Sequence, residues 1–216
     1  MRKNQNSWLY FLGLISLVSV SFCSQKVQAD SDWLKYFKKD SLLNTYKTCY
    51  AVQEDYLWQG TYGDGVIIKD GKNQKIISNK NTRTSPPIDD GLVSDYITSI
   101  TIDEQRGRVW IGTNEGLCSC NLEGKEWSRY SEKNELPNNV IRCLTMDNSG
   151  NLWVGTPSGV VVFDGENWKR FTEGNGLAQN SVHSIKAKGN SVWVGTVGGT
   201  INRYKDGQWM TFANFD

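Results

Sequence analysis

Histidine is nearly absent from this chain: His183 is the only one in 216 residues. A serine or cysteine nucleophile activated by an imidazole base therefore has a single candidate partner, and the expectation is a protein that is not an enzyme. Metal-ligand clusters are equally scarce. Cys118 and Cys120 form one C-x-C step with no second pair and no histidine nearby, so no metal and no cofactor is expected. Charge of one sign is lacking too. Lys and Arg number 24 against 23 Asp and Glu, dispersed along the chain, which leaves no basic stripe for a nucleic acid. The glycines follow apolar stretches and open no helix, as a dinucleotide-binding loop must. No window of helical period stands out, and proline occurs only four times.

Long apolar runs are missing except at the start. Arg2 and Lys3 precede an uncharged, mainly apolar run from Trp8 to Cys23, and Val27-Gln28-Ala29 supplies apolar and small residues before Asp30. Residues 1–29 read as a secretory signal peptide, with an uncleaved anchor and a lipoprotein start at Cys23 as alternatives. The run is short for a membrane span, which needs about 20 residues, so no stable span is expected after cleavage. The chain is expected to be exported, periplasmic or secreted. Export permits disulfides, but Cys49 and Cys143 share a repeat position with Ser99 and Ser184, which suits small core side chains instead.

What the sequence has in abundance is glycine and aromatics: 21 Gly, 9 Trp and 9 Tyr. The string W-x-G-T occurs at Trp58-Gln59-Gly60-Thr61, Trp110-Ile111-Gly112-Thr113, Trp153-Val154-Gly155-Thr156 and Trp193-Val194-Gly195-Thr196. A second tryptophan column runs Trp33, Trp127, Trp168, Trp209. Every tryptophan after the signal falls in one of these two columns, which form the structural core of a repeat about 40 residues long. Between Val140 and Leu177 the turn signals Asp147-Asn148-Ser149-Gly150, Pro157-Ser158-Gly159 and Asp164-Gly165 cut out four short apolar strands.

A lone four-stranded sheet cannot bury both faces, so the units must stack. The expected fold is all-β: a β-propeller of four four-stranded blades at about 46–92, 96–136, 140–177 and 181–215, within residues 30–216. One extra outer strand is expected at about 32–37, where Trp33-Leu34-Lys35-Tyr36 copies Trp127-Ser128-Arg129-Tyr130. Both chain ends then offer an outermost strand for the same slot. Three arrangements follow: an open arc, a strained four-blade ring, or association with another copy or a partner propeller segment. In W-x-G-T the Trp and Gly share a face, and each Gly is expected to leave room for a bulky side chain of the adjacent blade. In the first copy Ile76 and Ile77 lie near the slot of the missing outer tryptophan, and residues 79–88 read as a surface excursion.

The repeat resembles the two-component regulator propeller family. The resemblance rests on Leu152-Trp153-Val154-Gly155-Thr156, Gly116-Leu117, Asp164-Gly165, Trp127 with Tyr130, Trp168 with Phe171, and Leu136-Pro137-Asn138-Asn139. It implies an extracytoplasmic sensor module, with a sensor kinase as a partner. Related propellers that are lyases are expected to rely on a histidine in a metal-containing centre, which His183 alone does not supply.

The candidate binding surface follows from blade topology. Turns between second and third strands emerge on the same face as the blade-to-blade loops. That face carries Tyr62, Asp64, Asn114, Glu115 and Ser158 from the turns. From the loops it carries Asp89, Asp90, Asn134, Glu135, Asn138, Asn139, Asn175, Gln179 and Asn180. Amides and acids of this kind suit a glycan or peptide ligand, although ordinary turn chemistry accounts for them as well. The expected function is ligand or partner binding, with a structural or protein-interaction segment of a larger propeller as the alternative. Asp70, Asp103, Asp147, Asp164 and Asp206 are read as turn residues rather than catalytic acids.

Overall fold

A computed structural model describes residues 47–71, 73–82 and 91–212. The signal peptide, the lone strand at about 32–37 with Trp33, and Asp89 and Asp90 lie outside the described residues. The described chain is all-β, with four antiparallel four-stranded sheets in which each strand pairs with its sequence neighbours.

Blade 1 comprises β1 (Lys47–Gln53), β2 (Tyr56–Thr61), β3 (Val66–Asp70) and β4 (Asn73–Ile77). Blade 2 comprises β5 (Ile97–Asp103), β6 (Arg108–Thr113), β7 (Leu117–Asn121) and β8 (Ser128–Tyr130). Blade 3 comprises β9 (Cys143–Met146), β10 (Leu152–Thr156), β11 (Gly159–Phe163) and β12 (Trp168–Phe171). Blade 4 comprises β13 (Val182–Lys188), β14 (Ser191–Thr196), β15 (Ile201–Lys205) and β16 (Gln208–Phe212). A helical turn at Asn79–Thr82 begins the surface excursion, and a 3-10 turn spans Glu173–Asn175.

The blades stack in chain order through their first strands. β1 packs on β5, β5 on β9, and β9 and β10 on β13, while no packing of comparable extent joins β13 back to β1 among the described residues. The array is an open arc. Strand β9 starts later than the apolar pattern suggests, because the Ile141 N–H donates to Thr113 O of blade 2 at 2.9 Å and fastens one blade to the next. The other three first strands each carry an irregularity at the matching point, between Lys47 and Cys49, Ile97 and Ser99, and Val182 and Ser184.

Inter-blade packing repeats one device. A Cβ built on Gly60 would lie 2.7 Å from Ile97, one on Gly112 2.5 Å from Ile141, and one on Gly155 2.7 Å from Val182. Each of those glycines is a notch into which the next blade inserts a β-branched plug. The tryptophan two residues earlier points the same way. Trp110 meets Phe163 and Trp168 of blade 3 at 5.6 and 6.3 Å, and Trp153 meets Tyr204 and Trp209 of blade 4 at 5.1 and 6.2 Å. Trp58, Trp110 and Trp153 are at most 2% exposed. Trp193 is half-buried, and among the described residues its ring stacks on Phe212 of its own sheet.

One detail of the first copy departs from the sequence pattern. Gln74, not Ile76 or Ile77, holds the outer tryptophan slot: it pairs with Lys69 as Trp168 pairs with Phe163 and Trp209 with Tyr204. The tight turn after Asp70 sets this register and carries Ile77 to the position of Phe171 and Phe212.

Cys49, Cys118, Cys120 and Cys143 are buried thiols outside any disulfide. Burial pushes the Cys118 and Cys143 thiols up to about 12 and raises Cys120 as well.

The notch geometry makes two mutational expectations. Gly112→Ala should lower unfolding stability by about 1–3 kcal/mol, the cost of overpacking, because the branched Ile141 cannot turn away. Gly195→Ala meets only the Ser184 hydroxyl and should cost less than about 1 kcal/mol; urea unfolding compares the two. Trp153→Ala should cost about 3–5 kcal/mol as a buried aromatic truncation, and thermal unfolding close to that of the parent protein would contradict its place between blades. The thiols give a pH test. Folded pKa values raised above the unfolded ones keep their stabilisation below about pH 9 and lose it as pH rises towards 12. Thiols 118, 120 and 143 should therefore stay unlabelled by a thiol reagent at pH 8 until the chain unfolds, and stability should fall between those pH values.

Candidate functional site

The loop face is built by the threonine that ends each W-x-G-T. Thr61, Thr113 and Thr156 each donate Oγ1–H to a glycine carbonyl across the turn, Gly65 O at 2.7 Å, Gly116 O at 2.8 Å and Gly159 O at 2.9 Å. The same oxygens accept N–H bonds of 3.1 Å from Asp64, Glu115 and Ser158. Thr196 Oγ1 lies 3.3 Å from Thr200 O in the matching turn but gives its one proton to Gln179 Oε1 at 3.0 Å. The hydroxyl staples the turn shut, and Gly159 at φ +125 brings the backbone so close to Phe171 O that no side chain fits. The residue after each threonine is then presented outwards: Tyr62, Asn114, Pro157 and Val197.

At the seam of blades 1 and 2 this produces an aromatic pair. Tyr62 forms a bridge with Tyr96, and their rings meet edge to face at 4.9 Å. Gly63 N and Gly65 N both donate to Asp95 O at 3.0 Å, so the blade 1 turn is pinned to the approach of blade 2. The rings are nevertheless 66% and 41% exposed. Beside them, Ser94 Oγ donates to Asn114 Oδ1 at 2.8 Å and approaches Glu115 Oε1 at 3.4 Å. Asn114 N donates to Tyr96 O. The seam thus gathers Tyr62, Asp64, Asn114 and Glu115 from the residues singled out in the sequence and adds Tyr96. Val140 and Val197, two further exposed apolar side chains, stand on the same face.

Most of the remaining amides are engaged in their own loops. Asn134 Oδ1 accepts from Ser131 N, and Asn139 Oδ1 from Glu132 N while Asn139 N donates to Glu132 Oε1. Asn180 and Glu173 repeat this reciprocal pair one blade on, each bond 2.8 Å. Asn175 bonds Thr172 N and Arg170 O, and Gln179 Oε1 accepts from Thr196 Oγ1 and Gly198 N. Asn138 reaches Ser158 Oγ at 3.2 Å. Glu135 keeps one buried carboxylate oxygen without a hydrogen bond.

Two arginines that the sequence reading did not single out hold these loops. Arg170 of β12 donates to the carbonyls of Asn134, Glu135 and Leu136, and Arg129 of β8 to those of Gly91 and Leu92. Their common place, two after the outer tryptophan in Trp127-Ser128-Arg129 and Trp168-Lys169-Arg170, was the available signal. Arg142 crosses to blade 4 through Ser181 Oγ and Val182 O. His183 is exposed on β13.

The far face carries the aspartate turns. Asp147 accepts from Ser149 N, Asn151 N and Trp153 Nε1, and Asp103 pairs with Arg106 at 2.9 Å. Asp164 accepts from Asn167 N and Glu166 N, and these N–H bonds hold its carboxyl below the usual range. A shallow cavity of about 300 Å³ lies there between blades 1 and 2, lined by Tyr56, Ile68, Gln74, Lys75, Leu122 and Glu123. Among the described residues no three His, Cys, Asp or Glu side chains gather into a metal site.

The two-component regulator propeller family matches residues 91–115 and 135–158. None of the curated protein sequences matches the chain. Among solved structures it is similar to the extracellular domain of a putative hybrid two-component system of B. thetaiotaomicron, with a TM-score of 0.66 and 20% identity over 80% of this chain and 25% of that one. The extracellular domain of a putative one-component system of B. thetaiotaomicron aligns with a TM-score of 0.51, 17% identity, 79% of this chain and 28% of that chain. A virginiamycin B lyase from Staphylococcus aureus aligns with a TM-score of 0.57, 18% identity, 80% of this chain and 56% of that chain. The chain spans about a quarter of the length of the first of these structures. Residues 91–115 and 135–158, each running from a blade-to-blade loop through a W-x-G-T strand, match the two-component regulator propeller repeat, and the stacking of the blades is similar to that of a sensor propeller.

Proposed function

We propose that the chain is part of an exported, sensor-type propeller that binds a glycan on its loop face, at the seam of blades 1 and 2. The observation that carries this reading is the Tyr62–Tyr96 pair. Two tyrosine rings held in a fixed edge-to-face geometry, yet left in water, offer the apolar face that a sugar ring covers. Asp64, Asn114 and Glu115 stand beside them as hydrogen-bond partners for hydroxyl groups. By contrast Trp110, Trp153, Phe163, Trp168 and Tyr204 are engaged between blades.

Export to the periplasm or medium is supported by the N-terminal residues and by the extracellular origin of two similar structures. A kinase on the cytoplasmic side is the partner that the repeat family suggests. Binding, not catalysis, is the role: His183 has no second imidazole to work with. The structural-segment reading is favoured by one observation, the engagement of Asn134, Asn139, Asn175 and Asn180 in their own loops.

A glycan array on the purified protein, followed by calorimetry, tests the proposal. Tyr62→Ala and Tyr96→Ala should each weaken binding by about tenfold or more, as aromatic anchors do, with unfolding temperatures near that of the parent. An array with no bound glycan, or binding indifferent to both tyrosines, would count against it.

A further inference from the structure

The face of blade 4 that looks away from blade 3 repeats the three faces that are covered. Trp193 and Gly195 stand where Trp153 and Gly155 stand in blade 3, and Ile201 and Phe212 where Val160 and Phe171 stand. In blade 3 these side chains are buried beneath blade 4, whereas Trp193, Gly195, Ile201 and Phe212 are all half-buried. Among the described residues no plug enters the notch: a Cβ on Gly195 would meet only Ser184 of its own blade.

Blade 1 does not fit this face. The plug position held by Ile97 and Val182, opposite the W-x-G-T threonine, is Lys47 in blade 1. The aromatic pair that grips the preceding tryptophan, Phe163 with Trp168 and Tyr204 with Trp209, is replaced there by Lys69 with Gln74. Charge disagrees too. The Arg203 guanidinium lies 5.6 Å above the Trp193 ring. Bringing Lys47 to that place sets like charges together, and two blade 4 faces opposed would set Arg203 against Arg203 without any plug.

We infer that the Trp193 face of blade 4 is a docking surface for a further four-stranded blade of the W-x-G-T type, and not for blade 1 of this chain or of a second copy. The occupant carries Ile or Val at the plug position, an aromatic pair on its outer two strands, and an acid opposite Arg203. All three blade-on-blade interfaces of the chain seat such a plug, and the two that cover Trp110 and Trp153 add the aromatic pair, whereas Cys120 and Trp127 hold those positions over Trp58. The inference is independent of the glycan reading.

The probe is a linked fifth blade. Residues 131–177 are joined after Phe212, so that the copied plug Ile141 and the copied pair Phe163 and Trp168 face Gly195 and Trp193. I201C, at a half-buried position whose counterpart in blade 3, Val160, is fully buried beneath blade 4, reports burial through maleimide labelling resolved by peptide mass spectrometry. In the unextended chain, labelling should be fast and unchanged over about a hundredfold range of protein concentration. The linked blade should slow it by about tenfold or more. Ile141→Lys, Phe163→Lys and Trp168→Gln in the appended copy alone, or Gly195→Leu in blade 4, should restore the fast rate. Protection that grows with concentration in the unextended chain would make a second copy the occupant and overturn the inference. So would a linked blade that leaves position 201 unprotected, or one that protects it equally well with the lysines in place.

Discussion

The structure depends on one contact: a β-branched side chain seated in a glycine notch, with the neighbouring indole closed over by the aromatics of the next blade. A sheet of four short strands leaves two apolar faces in water, and only another sheet of the same kind covers them. Gly60, Gly112 and Gly155 let the first strand of the following blade come close enough to do so. The indoles of Trp110 and Trp153 then fill the wider outer part of the wedge between blades. Close approach at the hub and bulk towards the rim are the two halves of a radial packing, and W-x-G-T encodes both in four residues.

That economy explains why so much was legible from sequence. The tryptophan columns located the blades, and the shared face of Trp and Gly placed the notch, because a strand's period of two carries over directly into space. The turn dipeptides located the strand ends. What the pattern left unread lies between blades. Tyr96 belongs to blade 2 in sequence yet meets Tyr62 of blade 1, and that meeting depends on the angle between sheets. Arg129 and Arg170 sit on short outer strands among polar neighbours, and only the fold shows that they reach back to the loop before their own blade.

The outer strand of blade 1 shows how a register defeats an apolar pattern. Ile76 and Ile77 lie near the slot of the missing tryptophan in sequence, but the tight turn at Asp70 places Gln74 in it. The candidate amides teach a related lesson. Asn139 with Glu132 and Asn180 with Glu173 form the same reciprocal pair in successive loops, so their recurrence reflects how the loop is closed. The exposed tyrosine seam, which does not recur, is the more specific feature of that face.

The arginine clamps give the array a mechanical coupling. Arg170 gathers three consecutive loop carbonyls onto β12, a strand with a neighbour on one side only. A rim strand of this kind is the most compliant part of its sheet, since half of its backbone groups have no ladder to resist displacement. Whatever shifts the loop therefore pulls on the periphery of the following sheet before it disturbs the hub. The arc can flex at its circumference, blade after blade, while its centre stays locked.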